Sequence, residues 1–357
     1  MNTEHKQSIN LSPYACAILR EDMTMFCPGQ TFNGFINDIL ERYSDDADAS
    51  FHAAQERQRS HVRRVLDQDA SLPEERDRSQ LEEFVRLLDR EIEATLLEKR
   101  RTYDRGRTII FRLNNRNCRH FFPMDGSAFP DVEYYDGYYS RYFKAVIEEY
   151  CQQTRFRREE IYFRSYIETI RQAADTSRIL RVTIDSPYSD PGIDCWDVRP
   201  YALLPDESHL YHYLVGKSVR AGGLKRDEKT ASIRLSRIRS IHMSDRRTGR
   251  SGVLTSAEKK EIKKKISNNA VPFLIGDECD VVVRFTGHGR QLFHNTLFMR
   301  PFLSNIDSEG DYHFHCTEMH AAQYFIRFGA HAEILAPQAL RESMAKVFRD
   351  AANVYLR

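Results

Sequence analysis

The stretch LYHYLVGKS, residues 210–218, ends in Gly216-Lys217-Ser218, the residue types that close a phosphate-binding loop in many nucleotide hydrolases. Such a loop also needs a glycine five residues before Gly216, opening a flexible turn between a strand and a helix so that backbone N–H groups can cradle phosphates. That position is Tyr211, and aromatic and branched residues run straight into Gly216. No helical pattern follows, because Val219-Arg220-Ala221-Gly222-Gly223 leads into a turn. Lys217 therefore reads as a cation at a strand end, not as a hydrolase lysine. A second cluster, YHFHCTEMH at 312–320, places His313 and His315 on one face of a strand, while His320 falls in the following helix and no spaced thiol pair joins them. No metal site is expected there. Neither a G-x-S-x-G nucleophile elbow nor a deaminase H-x-E with P-C-x-x-C occurs, so no enzyme is expected and no cofactor.

Binding chemistry is better represented. Lys217 to Lys265 holds 16 Lys and Arg against 5 Asp and Glu, within a chain of net charge +1. One strongly basic stretch in a near-neutral chain suits an anionic partner, although exposed helical lysines can also be a solvated face. Tyr211 and Tyr213 share one face of a strand, and Ser232, Arg234 and Ser236 lie opposite Ile233 and Leu235 on the next. Aromatic platforms beside guanidinium and ammonium groups hold unpaired bases and their phosphates. The candidate nucleic-acid contacts are Tyr211, Tyr213, Lys217, Arg220, Arg234, Arg237 and Arg239, with Lys6, Ser8 and Asn10 near the N-terminus. In the competing reading Tyr211 and Tyr213 are core aromatics, and Arg234 and Arg237 form ion pairs with Asp185 or Asp197.

These residues need elements to carry them. KQSINLS alternates polar and apolar residues as a short strand does, and Ser12-Pro13 supplies an N-cap and a first-turn proline for a helix to about Cys27. Thr31 caps a second helix with Phe32, Phe35, Ile36, Ile39, Leu40 and Tyr43 along one side. One strand and two short helices cannot cover that stripe, so Phe32, Phe35, Ile36, Ile39 and Leu40 are expected to be buried between two chains, unless the unit is a plain helical hairpin. Residues 46–130 read as a helical connector, with a seam at Leu81, Phe84, Leu88, Ile92 and Leu96, closed by the strand RTIIFRL. Helices near 135–150 and 158–174 precede the short strands ILRVTI, DVRPYALL, LYHYLVGKS and TASIRLSRIRSI, whose length and spacing point to a small barrel. A capping box at Thr255 and Glu258 opens a lysine-rich helix. Strands near 278–285, 294–301 and 311–317, a helix to Gly329, a strand HAEIL and a final helix from Pro337 form a small βαβ layer. The fold class is α+β, in segments 1–45, 46–130, 131–250 and 251–357.

The seven cysteines are scattered and never spaced CxxC, the N-terminus has no apolar signal run, and no stretch approaches a membrane span. A cytoplasmic protein with reduced thiols and no membrane partner is expected.

The first segment resembles a ribbon-helix-helix domain, a family that intertwines as a dimer and inserts its paired strands into a nucleic-acid groove. DVRPYALLPDESHLYHYLVGKS followed by ASIRLSRIRSI resembles the WYL domain. Its naming run is His212-Tyr213-Leu214 here, with His212 where the family has tryptophan, while Pro200 and Ile233-Arg234-Leu235-Ser236-Arg237-Ile238 match its other marks. That resemblance implies an Sm-like barrel offering a basic pocket to a nucleic acid or another anionic ligand. YFIRFGAHAEILAPQALRE looks like the extension that often follows such a domain. The whole order, with GVLTSAEKKEIKKKI, RGRTIIFRL and INLSPYACAIL, is similar to the WYL accessory proteins of type VI-D CRISPR systems. The resemblance implies a homodimer that binds single-stranded RNA and raises the activity of an RNA-guided CRISPR ribonuclease. The alternative is a transcription regulator whose ribbon reads double-stranded DNA while the barrel senses a ligand.

Overall fold

A computed structural model describes residues 6–68, 75–101, 106–123, 129–185, 193–206, 208, 210–244 and 252–356. The chain divides into two compact units, Met1–Arg164 and Ser165–Arg357. The four segments expected from the sequence thus gather into two, because single elements bridge their limits. One helix runs straight through residue 45, and a strand of the expected connector pairs with the N-terminal strand.

In the first unit β1 (Lys6–Leu11) leads into α1 (Pro13–Phe26), α2 (Phe32–Gln68), α3 (Glu75–Arg101), β2 (Arg107–Arg112), α4 (Asn115–Phe121), α5 (Tyr139–Gln152) and α6 (Arg155–Tyr162). The Ser12 hydroxyl caps α1 by accepting from the Ala15 N–H at 3.1 Å. It also donates to the buried Glu148 carboxylate at 2.7 Å, and the Ser12 N–H donates to the same group at 2.6 Å. A cap read from two letters is therefore welded to α5. Strand β1 pairs antiparallel with β2 of its own chain, Lys6 opposite Arg112 and Leu11 opposite Arg107. The ribbon expected from two chains is thus made within one, since β2 returns to the first strand's free edge.

The second correction follows from the same packing. Phe35, Ile36, Ile39 and Leu40 are fully buried by their own chain and Phe32 is half-buried, so the stripe is not left open for a second copy. Phe35 meets the Tyr162 ring at 5.5 Å, and α2 packs along α5, where the Tyr142 hydroxyl donates to Asp48 at 2.7 Å. Helix α2 can do this because it is 37 residues long, not a short helix stopping at Tyr43. Asn37 ties the region to β2 and α4: its amide donates to the Arg112 carbonyl at 2.9 Å and accepts from the Asn114 N–H at 2.8 Å. Beneath α1, the Arg158 guanidinium grips buried Asp22 at 2.6 and 3.1 Å, and the Tyr150 hydroxyl donates to Asp22 at 2.9 Å.

The second unit opens with α7 (Arg164–Asp175) and the strands β3 (Leu180–Asp185), β4 (Ile193–Pro205), β5 (His212–Arg220), β6 (Lys229–Arg234) and β7 (Ile238–Met243). They form an antiparallel sheet ordered β6-β5-β4-β3-β7, and β6 and β7 show no pairing among the described residues. The expected barrel is thus an open five-stranded sheet. It is nonetheless curved: flat, its edge strands would stand about 19 Å apart at roughly 4.8 Å per gap. A single turn, Leu235–Arg237, joins those two edges, and from Arg234 to Ile238 the chain spans at most about 15 Å.

Helix α8 (Ser256–Asn269) covers this sheet, and a second sheet follows. Its elements are β8 (Glu278–Phe285), α9 (Gly287–Asn295), β9 (Leu303–Ile306), β10 (Tyr312–Thr317), α10 (Glu318–Phe325), β11 (Ala332–Ala336) and α11 (Gln338–Tyr355). The order β11-β8-β10-β9, all antiparallel, is a split βαβ arrangement in which each helix links strands separated by one other. The strand expected at 294–301 is displaced. Thr286 caps α9 by accepting from the Gly289 N–H at 3.0 Å, so this segment begins as helix and its strand starts only at Leu303.

Candidate nucleic-acid interface

Gly216 faces the β4 bulge at Pro200, where a Cβ would lie 2.3 Å from the Arg199 carbonyl oxygen. A close backbone approach, not a phosphate, requires the glycine of the GKS run. Lys217 beside it is buried, and its ammonium group holds Glu261 of α8 at 2.5 Å. The neighbouring strand repeats the arrangement more strongly. Arg199, only 3% exposed, binds Glu228 and Glu258 through Nη2, each at 2.5 Å, and donates to the Val253 carbonyl at 2.9 Å. Glu258 also closes the capping box, accepting from the Thr255 N–H at 2.7 Å. The hydrogen bond from Arg199 holds its carboxyl well below the ordinary range, at about 2. These struts, with Ile262 packed among Val215, Leu254, Val271 and Leu274, mount α8 on the sheet.

Lys217, expected as a phosphate contact, is thus engaged by Glu261. Held this way, α8 turns Lys259, Lys260, Lys263 and Lys264 to solvent, and none has an ion-pair partner among the described residues. Lys265, on the inner side, is buried and donates to the Gly276 carbonyl at 2.6 Å. Four ammonium groups on the outer face of one helix are a field that an anionic polymer neutralises on contact.

Of the other expected cations, the structure sorts the paired from the unpaired. Arg220 meets Asp194 at 3.2 Å, and Arg239 meets Asp185 at 2.7 Å. Asp197 is taken by Arg181 at 2.9 Å. Arg234 and Arg237 thus engage neither carboxylate proposed for them. Arg237 is exposed on the turn after β6. The Arg234 guanidinium lies 4.5 Å from the Tyr211 ring centroid, a cation–π contact, and its Nε–H is buried without a hydrogen-bond partner among the described residues.

Tyr211 lies just before β5, not within it, and is set by a loop knot. Asp206 accepts from the Leu210 and Tyr211 N–H groups at 2.9 and 3.3 Å. Tyr213 stands directly across from Arg234 in the β5–β6 ladder, half-buried and packed against the cluster under α8. The aromatic pair is thus part core and part surface. Ser236 has left the strand for the turn Leu235–Arg237 and is buried. Of the candidate contacts, Tyr211 and Tyr213 meet Arg234, and Arg237 is exposed on the adjoining turn, while Lys217, Arg220 and Arg239 are engaged by carboxylates.

On the first unit's ribbon Lys6 and Ser8 are exposed, facing the exposed Arg112 and Ile110 across the ladder. Asn10 is half-buried and committed to its own fold, accepting from the Gly106 N–H at 2.8 Å. The histidines of YHFHCTEMH are used separately. His313 meets Asp307 at 2.9 Å and His315 meets Asp280 at 2.8 Å. Buried His320 bonds the Met299 carbonyl at 3.0 Å and stacks on Phe273. No group of three or more metal-ligating side chains occurs among the described residues. All seven cysteines are free thiols, and among the described residues no helix is long and apolar enough to cross a membrane.

Residues 277–352 match the WCX domain, so the C-terminal split βαβ layer is the extension anticipated from YFIRFGAHAEILAPQALRE. The whole chain shares its fold with the protein described as "Crystal structure of a CRISPR Cas-related protein". That likeness has a TM-score of 0.69 at 19% identity and covers 100% of this chain and 95% of that one. Proteasome accessory factor B/C of Arthrobacter aurescens also aligns, at 18% identity over 69% of this chain and 37% of its own. Its TM-score is 0.30. No curated protein matches.

Proposed function

We propose that this protein is a non-catalytic accessory factor that binds single-stranded RNA and modulates an RNA-guided CRISPR ribonuclease, acting as a homodimer. The observation that carries the reading is the Arg234 guanidinium stacked on Tyr211, free of any carboxylate partner among the described residues, beside Tyr213 and Arg237. Bases stack on π-faces and phosphates seek cations without a carboxylate partner; half-buried Tyr211 and Tyr213, with Arg234 and exposed Arg237, support that reading at this edge of the sheet. The four outward lysines of α8 add a sequence-independent attraction. The fold shared with a Cas-related protein supports the CRISPR setting. Because Phe35, Ile36, Ile39 and Leu40 are covered by their own chain, the dimer of this reading meets through another face.

A duplex-DNA regulator is the second reading, favoured by one observation: the solvent face of the β1–β2 ribbon presents Lys6 opposite Arg112. Fluorescence anisotropy with a labelled unpaired RNA and a labelled DNA duplex, at one salt concentration, separates the two. Preference for RNA that is lost in Arg234→Ala and Tyr213→Ala, with Lys6→Ala unaffected, supports the proposal. Preference for duplex that depends on Lys6 overturns it.

A further inference from the structure

No two cysteines are spaced as a motif in the sequence, but the C-terminal sheet brings one pair together. Cys279 on β8 and Cys316 on β10 are 37 residues apart and stand directly opposite each other in the antiparallel ladder. Opposed residues put their side chains on one face of a sheet. Cys316 belongs to the buried core under that face, and half-buried Cys279 packs against the same cluster. The Cys279 thiol donates to the Cys316 carbonyl at 3.6 Å. We infer that Cys279 and Cys316 are a disulfide-forming pair, in which Cys279 reacts with a small-molecule disulfide such as oxidised glutathione and Cys316 closes the bond.

The backbone admits the bond. Opposed residues of an antiparallel pair have Cα atoms about 4.5–5.5 Å apart, inside the span of about 4.4–6.8 Å that a disulfide bridges. Access assigns the roles, since Cys316 is fully buried while Cys279 keeps part of its surface in solvent. The Cys279 thiolate attacks one sulfur of the oxidant, forming a mixed disulfide and releasing one glutathione thiolate. The Cys316 sulfur then attacks Cys279 Sγ, and the second glutathione leaves as the protein disulfide forms. Two protein thiols lose two electrons and two protons, and the oxidant is reduced to two thiols. Burial, with the Glu318 and Asp280 carboxylates, raises the Cys279 thiol, so the first step is slow at neutral pH. Burial also holds Cys316 up at about 12, which makes its thiolate scarce. Against that, a thiolate of high pKa is the stronger nucleophile, and well-oriented intramolecular reactions reach effective concentrations of roughly 10⁵–10⁸ M. The other half-buried strand cysteine, Cys195, lies opposite Thr183 and has no such partner. The rung beside the pair is Glu278 opposite Thr317. Glu278 accepts from Asn268 and Asn269 of α8 at 3.0 and 2.7 Å, and Asn269 accepts from the Thr317 N–H at 2.6 Å. The disulfide therefore joins the two strands on which the last turn of α8 rests, whether or not the protein binds RNA.

The full-length protein is incubated with oxidised glutathione in mildly alkaline buffer, remaining thiols are blocked with N-ethylmaleimide, and an unreduced digest is mapped by mass spectrometry. The expected product is a peptide pair joined through Cys279 and Cys316, with little glutathione left on either. Cys316→Ala removes the closing thiol and should raise the Cys279–glutathione adduct at least about tenfold over the native protein, because the intramolecular step no longer drains it. Cys279→Ser should lose the joined pair and leave Cys316 unmodified. Circular dichroism establishes that each variant is folded. Should Cys316→Ala fail to fold, the native protein decides alone, by joined pair against lasting adduct. A Cys279 adduct that persists in the native protein overturns the inference. So does a joined pair that forms only in urea, one that links other cysteines instead, or the absence of any modification at Cys279.

Discussion

Replacing Arg199 by methionine removes the cation that fastens α8 to the five-stranded sheet while keeping most of the side-chain volume. In the native protein Glu258 ionises at about 2 against an ordinary 4.5, chiefly through its hydrogen bond from Arg199. Because the folded value is depressed, this contribution is present in full above about pH 4.5 and disappears as the pH falls toward 2. At about 1.4 kcal/mol per pH unit that interval caps the contribution near 3 kcal/mol. The Glu258 side chain keeps 21% of its surface in water, so screening brings the figure to about 1–2 kcal/mol. Losing the contacts to Glu228 and the Val253 carbonyl adds on the order of 1 kcal/mol. Urea unfolding followed by circular dichroism should therefore show Arg199→Met less stable by about 2–3 kcal/mol at pH 7, the gap narrowing by about 1–2 kcal/mol by pH 2.5. A loss under about 0.5 kcal/mol at pH 7, or one that does not change with pH, would refute the clamp.

Other substitutions separate the structure's assignments from those read off the sequence. Lys217→Met should leave the salt dependence of RNA binding unchanged, because its ammonium group already serves Glu261; a flatter slope would return Lys217 to the phosphate-contact set. Ile36→Asp buries a carboxylate in the chain's own core and should cost about 3 kcal/mol or more in thermal or urea unfolding. A stable monomer from that substitution would instead place Ile36 between chains. Under native alkylation read by mass spectrometry, Cys316 should be spared, since burial pushes its thiol up to about 12. Half-buried Cys118, Cys195 and Cys279 should react before Cys16, Cys151 and Cys316.

What the sequence disclosed was local. Ser12, Thr255 with Glu258, and the alternation of KQSINLS each act within a few residues, where propensity and capping geometry suffice. What it hid depends on pairing across long separations. The strand that completes β1 lies about a hundred residues on, with Leu11 opposite Arg107 and Lys6 opposite Arg112. Glu261, which takes Lys217, is 44 residues away on another element. Charge count alone could not distinguish Arg234 and Arg237 from Arg220 and Arg239, because that depends on which carboxylate each strand neighbour presents. The lysine run was visible, but not that Arg199 and Lys217 act as its mount.

The most direct test of RNA binding on this surface is the salt dependence of affinity for an unpaired RNA. It is measured by anisotropy for the native protein, for Arg234→Ala and for a variant with Lys259, Lys260, Lys263 and Lys264 changed to Gln. Each cation that neutralises a phosphate contributes about 0.7 to the slope of log affinity against log salt. The account predicts a slope lower by about 0.7 in Arg234→Ala and by at least about 1.4 in the lysine variant, with circular dichroism unchanged in both. Native affinity and native slope in both variants would contradict it.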